Sequence, residues 1–281
     1  MTKKLLQLYG LKWNPFAPDV PTDALLVTPP VTSFLWRVEH LARDGGFAAI
    51  FGEPGTGKSI TLRLLAARLA ARQEVVVGVL TRPQAGLADF YREVGHLFGV
   101  PLRPHNRWAG AQALRDTWVA HIETALVRPV LLIDEAQDVR TDVLNELRLL
   151  ASADLDARVI LTVVLAGDRR LQDRLRAIDL LPLDSRLRVK LLLDTASRDD
   201  LGQCLRHALD TAGNPRLLTP GLLDALVDHA GGNFRTLMAH AYELLLAGAE
   251  REIAQLDETL FFERFAQAPA DRPRARAART R

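Results

Sequence analysis

One cysteine, Cys204, stands among 281 residues, so no internal disulfide can form and a reducing cytoplasm is the expected setting. No charged segment followed by an apolar core opens the chain at Met1, and no leader is expected. Long hydrophobic runs are also missing. The run from Val159 to Gly167 falls far short of the roughly 20 residues that cross a bilayer, so no membrane span or membrane partner is expected. The seven histidines are scattered without metal-ligand spacing, which excludes a zinc site. Aromatics make up 6% of the chain, and its tryptophans read as core or arm-packing residues before base-stacking platforms. No internal repeat is found. Charge is nearly balanced at +2, and five arginines against one aspartate fall in residues 271–281, so the basicity sits in a terminus and the pI says little about partners.

What is present is a 48% hydrophobic chain, long enough for one α/β domain and a smaller helical one. Five short apolar runs alternate with helical patterns: Phe47 to Gly52, Glu74 to Leu80, Pro129 to Asp134, Val159 to Ala166 and Val189 to Leu193. That alternation predicts a parallel sheet covered on both faces. Apolar residues at Leu62, Leu65, Ala66 and Leu69 mark a buried helix face between Ser59 and Arg72. Leu87 to Leu97 and Ala111 to Leu126 read as helices, joined by the polar linker Val100 to Arg107. After Asp194 the spacing predicts only helices: Arg198 to Ala212, Pro220 to His229 and Asn233 to Ala249. Expected divisions are an arm with a leading helix (Ser33 to Arg43) over 1–43, the α/β domain over 44–193, a helical lid over 194–266, and a basic tail over 267–281.

Gly52-Glu-Pro-Gly-Thr-Gly-Lys-Ser59 fits G-x-x-x-x-G-K-[ST] between a strand and a helix, the context that a phosphate-binding loop requires. Glycines let successive N–H groups turn toward phosphate oxygens, and the helix start adds its positive dipole end. The expected nucleotide contacts are Gly52, Glu53, Pro54, Gly55, Thr56, Gly57, Lys58, Ser59 and Ile60. Lys58 is expected on the β- and γ-phosphates of ATP and Ser59 on Mg²⁺. Thr61 reads equally as an adenosine contact or an ordinary helix residue.

Val130-Leu-Leu-Ile-Asp-Glu135 is an apolar strand ending in two acids. Asp134 is expected in the magnesium shell and Glu135 as the group that polarises the attacking water. Asp168 closes the next strand and has two readings, a contact to the attacking water or γ-phosphate, if protonated or paired with Arg169 or Arg170, or a loop or helix cap. Arg186, with Arg188 second, precedes the fifth strand, where an arginine can reach a neighbouring subunit's phosphates; the other reading is a solvated basic edge. Arg235 either closes onto the nucleotide or faces solvent from a helix start. Arg103 and Arg107 are candidate pore-lining DNA contacts or solvated loop residues.

These residues, together with Tyr9-Gly-Leu-Lys-Trp-Asn-Pro-Phe16, Asp134-Glu-Ala-Gln137, Ser185-Arg-Leu187 and Gly231-Gly-Asn-Phe-Arg235, resemble AAA+ ATPases spanning the TnsC and TniB transposition regulators and the ExeA-type secretion ATPases. The resemblance implies a P-loop AAA+ fold, α/β with a five-stranded parallel sheet flanked by helices plus a small C-terminal helical lid, and slow ATP hydrolysis between subunits. In that pattern a neutral amide usually follows Gly167, so Asp168 is a departure. The transposition branch implies double-stranded DNA, a transposase and self-association into a ring or filament as partners. The secretion branch carries a membrane span and a wall-binding region after the ATPase. A chain ending after its lid with an arginine-rich tail is expected in the DNA branch, unless the tail is only a solubilising end. Alternatives are a secretion or envelope-assembly ATPase and a nucleotide-gated scaffold in signalling or replication.

Overall fold

The computed structural model of the protein describes residues 3–100, 102, 107–153 and 157–265. Arg103, the side chain of Arg107 and the basic tail from 267 lie outside the described residues. Two compact units form: Leu25–Ala196 with Asn233–Arg235, and Met1–Ala24 with Ser197–Gly232 and Thr236–Arg281.

The first unit holds five strands, β1 (Gly46–Gly52), β2 (Val75–Leu80), β3 (Arg128–Ile133), β4 (Thr162–Gly167) and β5 (Leu187–Leu193). All pairings are parallel, in the order β2-β3-β4-β1-β5. Side chains alternate between two cores, because successive residues of a strand face opposite sides. Phe47, Ala49, Phe51, Leu131, Ile133, Val163 and Leu165 join one core, while Ala48, Ile50, Val130, Leu132, Val164 and Ala166 join the other. Covering both faces is what makes these strands read as unbroken apolar runs.

Several boundaries depart from expectation. The fourth strand was expected from Val159 but begins at Thr162; Val159 instead pairs antiparallel with Ser152 in a two-residue ribbon. Ile160 and Leu161 are buried in the connector, so hydrophobicity continues where the strand does not. The fifth strand starts at Leu187, two residues before its expected start, and places Arg188 inside the sheet. The leading helix runs Pro29–Asp44, with proline in its first turn. That Pro-Pro pair is therefore a helix start, a position where proline's missing N–H costs nothing. Arg107, expected in a linker, opens the helix Arg107–Ala125. The helices Thr141–Ala151 and Arg169–Leu175 were not anticipated.

The second unit contains the helices Lys3–Tyr9, Arg198–Ala212, Pro220–Ala230 and Glu258–Phe265, with most of Phe234–Glu250. Lys12 N donates to Ala212 O at 2.9 Å and Asn214 Nδ2 to Tyr9 O at 2.8 Å, so the N-terminal segment is tied to this helical unit. No helix among the described residues is long and apolar enough to cross a membrane.

Candidate nucleotide site

The parallel register brings three strand ends together. Phe51 of β1 pairs with Gly167 of β4, and Ile133 of β3 with Leu165 of β4. Gly52, Asp134 and Asp168 therefore leave adjacent strands at their carboxyl ends, where α/β sheets place their ligands.

The loop after β1 is built around backbone that only glycine adopts easily. Gly55 has φ 88° and Gly57 φ 104°, and Gly57 caps the helix Lys58–Ala70 without any side-chain acceptor. The first N–H groups of that helix are thereby left facing the loop's hollow, an anion-binding arrangement. At Gly52 a Cβ would stand 2.5 Å from Thr56 Oγ1 and 2.7 Å from Leu193 O. Thr56 braces the turn by donating to Glu53 O at 2.8 Å. Lys58 is only 5% exposed, and its ammonium donates to Gly52 O at 2.8 Å and Glu53 O at 3.2 Å. Both acceptors are neutral carbonyls. A buried cation with neutral partners gains from an anionic oxygen, so the donor set fits a nucleotide phosphate. Glu53, Pro54 and Ser59 are exposed, and Ile60 packs partly against the second core. Thr61 Oγ1 donates to Gly57 O at 3.0 Å from a buried position, the geometry of an ordinary helix residue.

Asp134 Oδ1 accepts from Glu135 N at 2.9 Å, and Glu135 takes a left-handed φ of 50° that presents an exposed carboxylate. Gln137, absent from the candidate set, organises the group. Its Nε2 donates to Glu135 Oε2, and its Oε1 accepts from Asp168 N at 3.2 Å. Arg174 donates to its backbone oxygen and, at 3.2 Å, to Thr141 Oγ1. Asp134 and Ser59 offer hard oxygen donors of the kind that hold Mg²⁺ with phosphate. No group of three or more His, Cys, Asp or Glu able to hold a metal by itself occurs among the described residues.

Asp168 caps the helix Arg169–Leu175: Oδ1 accepts from Arg170 N at 2.9 Å and Oδ2 from Arg170 Nε at 2.9 Å. Burial pushes its carboxyl up, but the Arg170 hydrogen bond, the helix N–H and the charges of Arg170 and Lys58 outweigh that and hold it below the usual carboxylate value. Asp168 is thus a helix cap paired with Arg170, and its charge is felt by Lys58.

Asn233, also outside the candidate set, touches the phosphate loop directly. Its Nδ2 donates to Pro54 O at 2.9 Å, and Phe234 N donates to Gly55 O at 3.1 Å. Asn233 Oδ1 accepts from Arg235 N at 2.9 Å, and the Arg235 side chain is exposed. Its Gly-Gly-Asn setting was the available signal, since asparagine before a helix commonly bonds nearby backbone.

Arg186 and Arg188 lie elsewhere. Leu187 pairs with Phe47, five residues before Gly52, which puts these arginines roughly 17 Å from the phosphate loop at about 3.3 Å per residue. Arg186 Nη1 donates to Pro182 O at 2.9 Å, and Arg188 is exposed on the edge strand.

Residues 41–175 match the family described as AAA domain. The chain is 30% identical over 250 residues to general secretion pathway protein A of Aeromonas hydrophila, covering 87% of this chain and 45% of that protein, so it spans under half of the relative's length. Among solved structures it resembles Cdc6p from Pyrobaculum aerophilum, with TM-score 0.69, 17% identity, and 86% of this chain and 67% of that one covered. It also resembles the Aeropyrum pernix ORC1 protein, solved in complex with DNA, with TM-score 0.67, 18% identity, and 89% and 68% covered. The α/β unit therefore has the P-loop fold of AAA+ ATPases, and its phosphate loop and first two acids fall within the stretch that matches the AAA domain.

Proposed function

We propose that this chain binds ATP with Mg²⁺, hydrolyses it slowly where copies meet in a ring or filament, and uses the nucleotide to control its hold on double-stranded DNA, where it recruits or activates a transposase. The observation that carries the nucleotide half is the convergence of Lys58, Asp134, Glu135 and Asp168 around a glycine-built anion cradle. Lys58 would exchange its carbonyl partners for β- and γ-phosphate oxygens, which bind an ammonium more strongly. Ser59 and Asp134 would hold Mg²⁺, which supplies charge to offset that of the phosphates.

Glu135 would take the proton of the attacking water at Oε1, since Oε2 is held by Gln137. The Asp168 carboxylate is partly neutralised by Arg170, which limits its repulsion of the phosphates. Arg186 is too far along the sheet to serve its own subunit's phosphates. In this reading it answers the developing charge on a neighbour's nucleotide. The test is a gel-shift assay on duplex DNA: ATP-dependent binding is expected, and Lys58→Ala should abolish the dependence. Electron microscopy should show rings or filaments with ATP and not with ADP; assemblies indifferent to nucleotide would overturn the switch.

A second reading rests on the Aeromonas relative, whose name places it in secretion. There the same ATPase cycle drives envelope assembly, and ATP-dependent binding to a membrane partner with no affinity for duplex DNA would select it.

A further inference from the structure

The helix Pro29–Asp44 buries Val31, Phe34, Leu35, Val38 and Leu41 against the sheet, yet it turns a tryptophan outward. Trp36 is 58% exposed, and its ring packs against His40 with centroids 4.0 Å apart and the planes tilted by 41°. His40 Nδ1 bonds to Trp36 O at 2.8 Å, which holds the pair as one raised aromatic step. Nothing in the nucleotide site uses it.

Cations surround that step. Arg37 and Arg43 are exposed on the same helix. Arg37 Nη2 donates to Arg188 O at 3.4 Å, which fixes the helix beside the β5 edge. On the other side, Arg68 and Arg72 of the helix Lys58–Ala70 both reach Glu39, at 3.5 and 2.5 Å. Glu39 is shared between two arginines, and the charge of Asp44 acts on Arg128. Arg37, Arg43, Arg68 and Arg72 against Glu39 and the exposed Asp44 leave a net positive band.

Its placement excludes a role toward the subunit's own nucleotide. Arg43 lies three residues before the start of β1, Arg72 three before β2, and Arg188 is the second residue of β5. All three mark the amino ends of the strands, while the phosphate loop leaves the carboxyl ends, on the order of 20 Å away for a seven-residue strand. A band of arginines around an exposed indole matches a polyanionic backbone, with guanidinium groups on phosphates and the ring against sugar.

We propose that this face, centred on Trp36 and flanked by Arg37, Arg43, Arg68 and Arg72, is the docking surface for the phosphate backbone of duplex DNA. The inference rests on the reading of the chain as a DNA-binding ATPase and adds which surface makes the contact. Contacts of this kind are independent of sequence and strongly salt-dependent, because each neutralised phosphate releases counterions.

The test uses the full chain with a non-hydrolysable ATP analogue and a labelled duplex of arbitrary sequence, read by anisotropy across a salt series. Arg37→Gln with Arg43→Gln should reduce the slope of log affinity against log salt by about 1.8, at roughly 0.9 per phosphate contact. Arg82→Gln, an exposed arginine beyond the other end of the sheet, should leave the slope unchanged. Trp36→Phe should remove most of the tryptophan quenching seen when duplex is added. Trp36, Arg37 and Arg43 are exposed and lie away from the phosphate loop, so nucleotide affinity should match that of the unaltered chain, and melting temperature should fall by no more than the loss of the Arg37–Arg188 bond allows. If the unaltered chain does not bind duplex DNA, both the inference and the functional reading fall. If it binds but the double variant keeps its slope, this assignment alone fails. Single strands bound more tightly than duplex through this face, or loss of self-association in place of DNA binding, would equally overturn it.

Discussion

Gly167 leaves the space that Gln137 occupies: a Cβ at residue 167 would stand 2.8 Å from Gln137 Oε1 and 2.7 Å from a Leu171 methyl. The glycine sits at the last position of a fully buried strand, so neither neighbour can retreat to solvent. Gly167→Ala is expected to cost about 1–3 kcal/mol through overpacking. The measurement is the denaturant midpoint at constant slope; an unchanged midpoint would show that Leu171 and Gln137 relax freely.

Gln137 links the Glu135 carboxylate to the Asp168 backbone while only 6% exposed. Gln137→Ala should leave nucleotide affinity within about threefold, because the hydrogen bonds of Gln137 run to Glu135, Asp168 and Arg174 and not to the glycine loop. Hydrolysis at saturating ATP should fall by roughly tenfold as the proton acceptor loses its orientation. Equal losses in affinity and turnover would assign Gln137 to folding alone, and rescue by Gln137→Asn would argue for hydrogen bonding.

The candidate site was legible in sequence where backbone conformation dictates residue type. Gly55 and Gly57 are needed for positive φ, and Asp134 follows a strand whose two buried faces make it conspicuous. Gln137 and Asn233 stand in quoted segments, Asp-Glu-Ala-Gln and Gly-Gly-Asn-Phe-Arg, but their roles were not legible, because the partners that define them, Asp168 N and Pro54 O, lie 31 and 179 positions away in the chain. The fourth strand's start was misplaced for a related reason. Ile160 and Leu161 are buried without being in the sheet, so an apolar run marks burial and not strand.

Asp168 gives a pH prediction with a definite sign. Its folded pKa lies below the ordinary 3.8, so its charge contributes stability that is present above that ordinary value and lost as pH falls through the folded one. Asp168→Asn keeps a capping side chain but removes the charge paired with Arg170. The variant should therefore be less stable than the unaltered chain at pH 7, with the gap closing below about pH 3.8. Denaturant midpoints of the two proteins at several pH values measure this; a gap constant down to pH 2 would mean that the ion pair contributes nothing.

Cys204 lies in the helix Arg198–Ala212, and burial pushes its thiol up to about 11. At pH 8 only about one thiol in a thousand would be ionised, and the thiolate is the reactive form. Folded protein should therefore react with a disulfide reagent orders of magnitude more slowly than urea-unfolded protein. Fast labelling at pH 8 without denaturant would show that the helical unit opens around residue 204.

The same helix begins with a reciprocal cap. Ser197 Oγ accepts from Asp200 N at 3.1 Å, and the Asp200 carboxylate accepts from Ser197 N at 3.0 Å. Two N–H groups that the helix cannot satisfy internally are thus paired. Ser197→Ala removes one of these bonds and should cost about 0.5–2 kcal/mol. Because the cap belongs to the helical unit, hydrogen exchange should rise first in Asp199 to Leu201, while the β1 and β3 amides keep their protection. Uniform deprotection of both units would instead mean that the chain unfolds as a single cooperative body, and the local cost could then be read from the global midpoint.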